Sequence, residues 1–160
     1  MKKTIRHLGI ILLLCAPLSI AAQDKDPSRV NRERAVQMST TVRGTLAEKE
    51  PQWKFQRALK SESGYRQYFR SEKQELEVTF YVFDSEAEAS KRLMALSMLS
   101  SVAGRETLSG TGDEAYYMSH PYFSWVGVRK GRMLIEVYGP GPELTVTKRI
   151  AQYGLDQMGK

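Results

Sequence analysis

The alternation of apolar and polar residues between Glu75 and Val82 constrains the fold of this chain more than any other feature. The apolar residues occupy one parity of the segment: Leu76, Val78, Phe80 and Val82. The other parity is more polar and comprises Glu75, Glu77, Thr79 and Tyr81. Successive side chains of a strand point to opposite faces of its sheet. The segment therefore predicts an antiparallel strand with its apolar side on a core and its polar side toward water.

Further strands are predicted on both sides of this segment. Residues 53–59 and 65–70 alternate in the same way and are separated by short polar breaks, which indicates a three-stranded meander. After it, residues 106–109 with 115–118, then 123–129 and 133–138, have strand character. The last two form a hairpin around Lys130-Gly131, where glycine can adopt a positive φ. The expected sheet has about six strands.

Helices are predicted before, between and after these strands. Asp26-Pro27-Ser28 is typical of a helix start, and an apolar stripe follows until Pro51 ends the helix: Ala35, Met38, Val42 and Leu46. Ser85 and Glu88 match a capping box for a second helix, which Gly104 would close. A third helix follows residue 142. The chain is thus predicted to be α+β, a two-layer sandwich of an antiparallel sheet and amphipathic helices, with an extra N-terminal helix. The repeated βββα order suggests a duplication.

The first 22 residues have the order of a secretory signal peptide. Lys2, Lys3 and Arg6 precede an apolar run over residues 8–20, and small residues follow before a polar segment. The run is too short to cross a bilayer as a helix. We expect cleavage near Ala21/Ala22, a flexible tether over residues 23–28 and a single domain over 29–160. The localisation predicted is periplasmic or secreted.

Removal of that segment changes the charge and the available chemistry. The net charge of +6 falls to +3 because the leader carries three bases and no acid. The remaining bases are scattered rather than concentrated on one stripe, so nucleic-acid binding is not expected. The only cysteine, Cys15, lies in the leader and follows Leu13-Leu14, which is unlike a lipoprotein cleavage site. The mature domain would therefore be free of cysteine and of disulfides.

Acidic residues and one histidine form the first candidate site. Asp113 and Glu114 follow Gly110-Thr111-Gly112, and His120 is the sole histidine outside the leader. A glycine-rich loop can hold a phosphate, but two carboxylates directly after it would repel an anion. Hydrolysis by a Ser-His-Asp mechanism would need His120 as its base. A tight solvated turn and an ordinary loop histidine explain the same residues. No catalytic residue, metal site or cofactor is predicted.

Aromatic side chains form the second candidate site. They cluster along the chain and comprise Tyr65, Tyr68, Tyr116, Tyr117, Tyr122 and Trp125. Amphipathic rings of this kind are common at binding surfaces, and they are equally ordinary in a sheet core. Because Tyr116 and Tyr117 are neighbours on one strand, a two-layer fold cannot bury both. Some of these rings would then line a ligand groove.

A resemblance covers roughly residues 76–155. Gly110-Thr-Gly-Asp-Glu-Ala-Tyr116, followed by Val128-Arg-Lys-Gly131 and a strand over 133–137, resembles a pattern of small exported α+β proteins of mostly unassigned function. Phe83-Asp84-Ser85 and the alanine-containing start of the next helix match as well. The resemblance implies this fold and an exported location, either periplasmic or lipid-anchored. It implies no catalytic residues, and the chain departs from the lipid-anchored members because Cys15 does not lie in a usable lipoprotein cleavage site.

Three functions are compatible with the sequence. The first is an exported, non-catalytic binding module of the cell envelope, with an envelope protein or a small ligand as its partner. The second is an envelope hydrolase that uses His120 with a nearby carboxylate. The third is a surface-adhering or assembly protein that acts through the basic N-terminal helix, which carries Arg29, Arg32 and Arg34.

Overall fold

The computed structural model describes residues 26–61, 64–72, 74–98 and 105–159. The predicted signal peptide, the start of the predicted tether and Gly104 lie outside these residues. Three helices are present: α1 (Pro27–Lys49), α2 (Glu86–Met98) and α3 (Leu144–Met158). The strands are β1 (Lys54–Lys60), β2 (Gly64–Ser71), β3 (Gln74–Val82), β4 (Arg105–Thr107), β5 (Glu114–His120), β6 (Phe123–Lys130) and β7 (Met133–Pro140). The predicted α+β class with an N-terminal helix is confirmed.

All seven strands form one antiparallel sheet in the order β1-β2-β3-β7-β6-β5-β4. Each half of the chain is a meander, and the two meanders join where β3 pairs with β7. The predicted β6–β7 hairpin is present, and Gly131 in its turn has a φ of 56°. The strand predicted over 106–109 with 115–118 forms two separate strands, the short edge strand β4 and β5, so the sheet has seven strands.

Helices α1 and α3 cover one face of the sheet, here called the α1/α3 face. The stripe predicted for α1 is buried there, and Val78, Phe80 and Val82 of β3 meet it in the same core. Asp26 caps the helix by accepting a hydrogen bond from the Ser28 amide at 3.0 Å, with Pro27 in the first turn. Residues 27 and 28 therefore belong to the helix and not to the tether.

Helix α2 lies on the opposite face, the α2 face. Leu93 packs there with Tyr81, Trp125 and Leu134. Each of these three strand residues points to the face opposite to that of the main-core residues in its own strand. This placement is a correction to the two-layer arrangement, because over β5–β7 the sheet has helices on both sides. The capping box is present: Ser85 Oγ accepts from the Glu88 amide at 3.2 Å, and the Glu88 side chain accepts from the Asp84 amide.

The positions of α2 and α3 do not have the symmetry of a duplication. A two-fold axis that superimposes β3 on its antiparallel neighbour β7 must be perpendicular to the sheet. That operation keeps equivalent helices on the same face, whereas α2 and α3 lie on opposite faces. The repeated βββα order therefore reflects two meanders of similar length rather than two symmetric halves.

No helix in the described ranges is long and apolar enough to span a membrane.

Candidate functional site

The glycine-rich segment before β5 is a structural turn. Gly110 and Gly112 have φ values of 75° and 65°, and a Cβ at Gly112 would overlap the Arg129 carbonyl region. Asp113 accepts hydrogen bonds from the Gly131 amide at 2.6 Å and from Arg129 Nη1 at 3.2 Å. The solvated-turn interpretation of these residues is thus supported, with Asp113 fastening this turn to the β6–β7 hairpin.

Replacement of Asp113 tests that role. We expect Asp113→Ala to lower the free energy of unfolding by about 1 kcal/mol, since a charge-assisted bond to an amide and a partner for Arg129 are lost. Urea denaturation of the variant measures this change. The matched control is Asp156→Ala on α3, whose carboxylate meets only the exposed Gln152 side chain. Equal stability of the two variants would contradict a fastening role.

Glu114 and His120 lie at opposite ends of β5. Glu114 Oε2 is 3.4 Å from Arg129 Nε, and both carboxylate oxygens accept from Ser90 Oγ of α2. His120 stacks on Phe123, with ring centroids 4.9 Å apart. Six residue steps along the strand separate them, a distance of about 20 Å. Asp113 adjoins Glu114, so the structure does not bring His120 together with either carboxylate.

The six predicted aromatic residues do not form one groove. Tyr68, Tyr116 and Trp125 share the α2 face, where Trp125 is buried beneath α2. Tyr65 and Tyr117 pack on the opposite face against the main core. Tyr122 lies in the β5–β6 turn and is 83% exposed. Tyr116 and Tyr117 are both half-buried because helices cover both faces at β5, which the two-layer expectation did not allow.

A different cluster, which was not predicted from the sequence, is centred on Glu136. Glu136 is only 2% exposed and points from the middle of β7 to the α2 face. Tyr81 donates a hydrogen bond to Glu136 Oε2 at 3.3 Å, while Oε1 has no hydrogen-bond partner within the described residues. An unpaired buried oxygen is rare in folded proteins because its desolvation is not repaid.

Charged side chains surround this carboxyl. Arg92 Nη2 of α2 donates to the Tyr81 hydroxyl at 3.5 Å, and its guanidinium lies 5.4 Å from the centre of the Tyr81 ring. On the sheet, Arg66 Nε pairs with Glu77 Oε1 at 3.1 Å. We call Glu136, Tyr81, Glu77, Arg66 and Arg92 the Glu136 cluster. The ion pair of Arg66 with Glu77 joins β2 to β3.

Burial sets the protonation of this cluster. Desolvation raises the pKa of Glu136 to about 7, against the opposing effects of Arg92, Tyr81 and Arg66. Burial also raises the pKa of Glu77 and the pKa of Tyr138, the latter to about 12. Near neutral pH the Glu136 carboxyl therefore exchanges between an acceptor-only ion and a neutral acid that can also donate.

The cluster lies at the border of α2. That helix packs on β5, β6 and β7, and among the described residues no helix packs on the α2 face of β1 and β2. Arg92, at this border, is exposed. The arrangement places a buried acceptor beside the part of the sheet that is open to solvent, with one exposed arginine between them.

No model of a known protein family matches the chain, and no curated protein is similar to it. Within the described ranges, no three His, Cys, Asp or Glu side chains lie together as metal ligands would. The site has to be interpreted from its own geometry.

Proposed function

We propose that this protein is an exported, non-catalytic binding module of the cell envelope that holds a small ligand at the Glu136 cluster. The N-terminal order of charged, apolar and small residues supports export. The observation that carries the proposal is Glu136 Oε1, a buried oxygen with no hydrogen-bond partner in the described part of the chain. A group that is costly to bury and is left unpaired is typical of a functional site.

The chemistry of the cluster restricts the ligand. In its ionised form the Glu136 carboxyl only accepts hydrogen bonds, so this form favours a ligand with a donor such as an ammonium, amide or hydroxyl group. Arg66 and Arg92 flank the same position and favour an acceptor or a negative charge on the ligand. A small molecule that combines both groups, such as an amino acid or an amide, fits this order of charges best.

Hydrolysis with His120 is not supported by this geometry. The strand length separates His120 from Asp113 and Glu114, and both carboxylates already bond Arg129 or the adjacent turn. Adhesion through the basic residues Arg29, Arg32 and Arg34 of α1 stays a prediction, because nothing in the structure tests it. The helix itself is an integral part of the fold. Its Ala35, Met38, Val42 and Leu46 are completely or almost completely buried in the core, so a truncation of α1 would unfold the sheet.

Side-chain NMR tests the binding function. The protein is titrated with glycine, ethylammonium, acetate and glucose while the carboxyl carbon of Glu136 and the rings of Tyr81 and Tyr138 are followed. We expect saturable shifts with glycine, weaker shifts with ethylammonium and none with acetate alone. Glu136→Gln should weaken glycine binding about ten-fold or more, equivalent to about 1.4 kcal/mol.

Glu143→Gln is the matched control, since Glu143 is exposed before α3 and its side chain makes no capping hydrogen bond. It should bind glycine as the unaltered protein does. Equal affinity in Glu136→Gln, or no saturable shift with any of the four probes, would contradict the proposal.

A further inference from the structure

Strand β1 forms one end of the sheet, and its outer edge has no strand beside it in the part of the chain that the structure describes. Six of its seven residues are exposed. Two of them are large and apolar: Phe55 is 39% exposed and Leu59 is 49% exposed. Free backbone groups along such an edge are a template for another strand.

The charge at this edge has one sign. Lys54, Arg57 and Lys60 lie on β1, which carries no acid. Arg43 of α1 stands 4.8 Å above the Phe55 ring, and Arg57 stands 4.7 Å above the Tyr68 ring. The edge therefore presents cations over both faces of the sheet, close to exposed aromatic and aliphatic surface.

A groove runs beside the same edge on the α2 face. It has a volume of about 330 Å³ and is lined mainly by β1 and β2: Gln56, Arg57, Tyr68, Phe69, Arg70 and Glu75. Arg70 is exposed and has no ion-pair partner among the described residues. The groove thus continues the positive edge toward the next strand, with Glu75 at its far side as the one acid.

A second copy of this chain fits the edge poorly. Pairing β1 with β1 would bring lysines and arginines together, and like charges facing each other across strands are destabilising. A bulge between Phe55 and Arg57 also interrupts the regular run, and bulges and edge lysines are common protections against self-association. An acidic strand would meet the same charges favourably.

We propose that the outer edge of β1 binds an extended acidic segment of a partner protein as an additional strand. Main-chain hydrogen bonds to residues 57–60 would give the pairing, and acidic side chains on alternate positions would lie on the α2 face, where Lys54 and Arg57 also lie. Leu59 offers apolar contact on that face, and Phe55 offers it on the α1/α3 face. This surface is separate from the Glu136 cluster, so either proposal can fail without the other.

The test uses a short capped peptide in which glutamate alternates with valine. We expect binding by NMR with slowed amide exchange in β1, and an affinity that falls about ten-fold between low and moderate salt as exposed charges are screened. The combined variant Lys54→Glu, Arg57→Glu and Lys60→Glu should lose binding by about ten-fold or more. These side chains are exposed, so the fold should be kept.

Two control peptides separate strand addition from simple charge attraction. In the first, the central valine is proline, which lacks the amide donor and is excluded from paired strand positions. In the second, lysine replaces every glutamate. Both should bind at least about ten-fold more weakly. Equal binding of the proline peptide, or unchanged amide exchange in β1, would overturn the proposal and leave only non-specific attraction.

Discussion

Glu136→Gln should stabilise this protein, by an amount that grows by about 3 kcal/mol between pH 4 and pH 8. The carboxyl is 2% exposed, and burial raises its pKa to about 7 from an ordinary value of 4.5. A glutamine of the same shape has no charge to desolvate. Urea denaturation at a series of pH values gives the free energy of unfolding of both proteins.

The direction follows from proton binding. Between pH 4.5 and 7 the folded chain holds a proton on Glu136 that the unfolded chain has released. Stability from this group is therefore complete at low pH and is lost as the pH rises through about 7. Each pKa unit corresponds to about 1.4 kcal/mol, which gives the size of the effect.

Comparison of the two proteins isolates Glu136 from other groups. The raised pKa of Glu77 acts in the same direction, while hydrogen bonds from Arg149 and Gln52 outweigh burial and lower the pKa of Glu50, which acts in the opposite direction. Glu50 remains in the variant and lies outside the Glu136 cluster, so its effect cancels in the difference. The charge of Glu77 helps to raise the pKa of Glu136, so this coupling is part of the measured difference. A constant difference between Glu136→Gln and the original protein would show that Glu136 titrates normally.

Gly154→Ala should destabilise the protein by about 2 kcal/mol because the new methyl group has no space. Gly154 is buried on α3 against the sheet, and a Cβ there would overlap Cδ1 of Ile135 on β7. The helix itself would gain from the exchange, since alanine favours a helix over glycine by about 1 kcal/mol. Crowding is expected to exceed that gain.

Ile135→Val provides the matched test, because it removes the Cδ1 atom that blocks the site. Alone it should cost about 1 kcal/mol through the lost methyl group. In the double variant the new alanine fills the vacated space, so the total loss should be smaller than the sum by about 1 to 2 kcal/mol. Gly44→Ala, on the open side of α1 with no atom near its Cβ, is the control and should be neutral or stabilising. Additive losses at 135 and 154 would contradict direct crowding.

The sequence predicts the helices and strands of this fold well because the residues that cap helices and form turns occur at the ends of the segments with helical or strand periodicity. Asp26-Pro27, Ser85 with Glu88 and the turn at Gly131 lie where the structure begins or joins its elements. It does not predict the face that α2 covers. The amphipathic stripe through Ala89 and Leu93 predicts that this side of α2 packs on the sheet. It does not predict which face of the sheet, because either face could bury the stripe.

The Glu136 cluster was missed for a related reason. In β7, Glu136 lies on the side of the strand that faces away from the main core, and in a two-layer fold that side is exposed to water. A signal was nevertheless present: on the same parity as Glu136 are Leu134 and Tyr138, and the facing strands contribute Tyr81 and Trp125. Large apolar and aromatic residues on both parities indicate burial on both faces. The aromatic residues of the predicted site lie on different faces of the sheet for the same reason, because successive side chains of a strand point to opposite faces.

The joining of the two meanders at β3 and β7 has a consequence for the order of folding. Contacts within each meander are local in the chain, whereas β3 meets β7 and Glu50 meets Arg149 across 99 residues. Local contacts form faster than distant ones because their loops cost less entropy to close. During synthesis one edge of β3 therefore stays unpaired until β7 has been synthesised. The chain is therefore most prone to aggregation after β3 has been synthesised and before β7 has been. Helix α2 connects β3 to the far edge of the sheet, but it can pack on the sheet only after β5–β7 have formed the face that it covers.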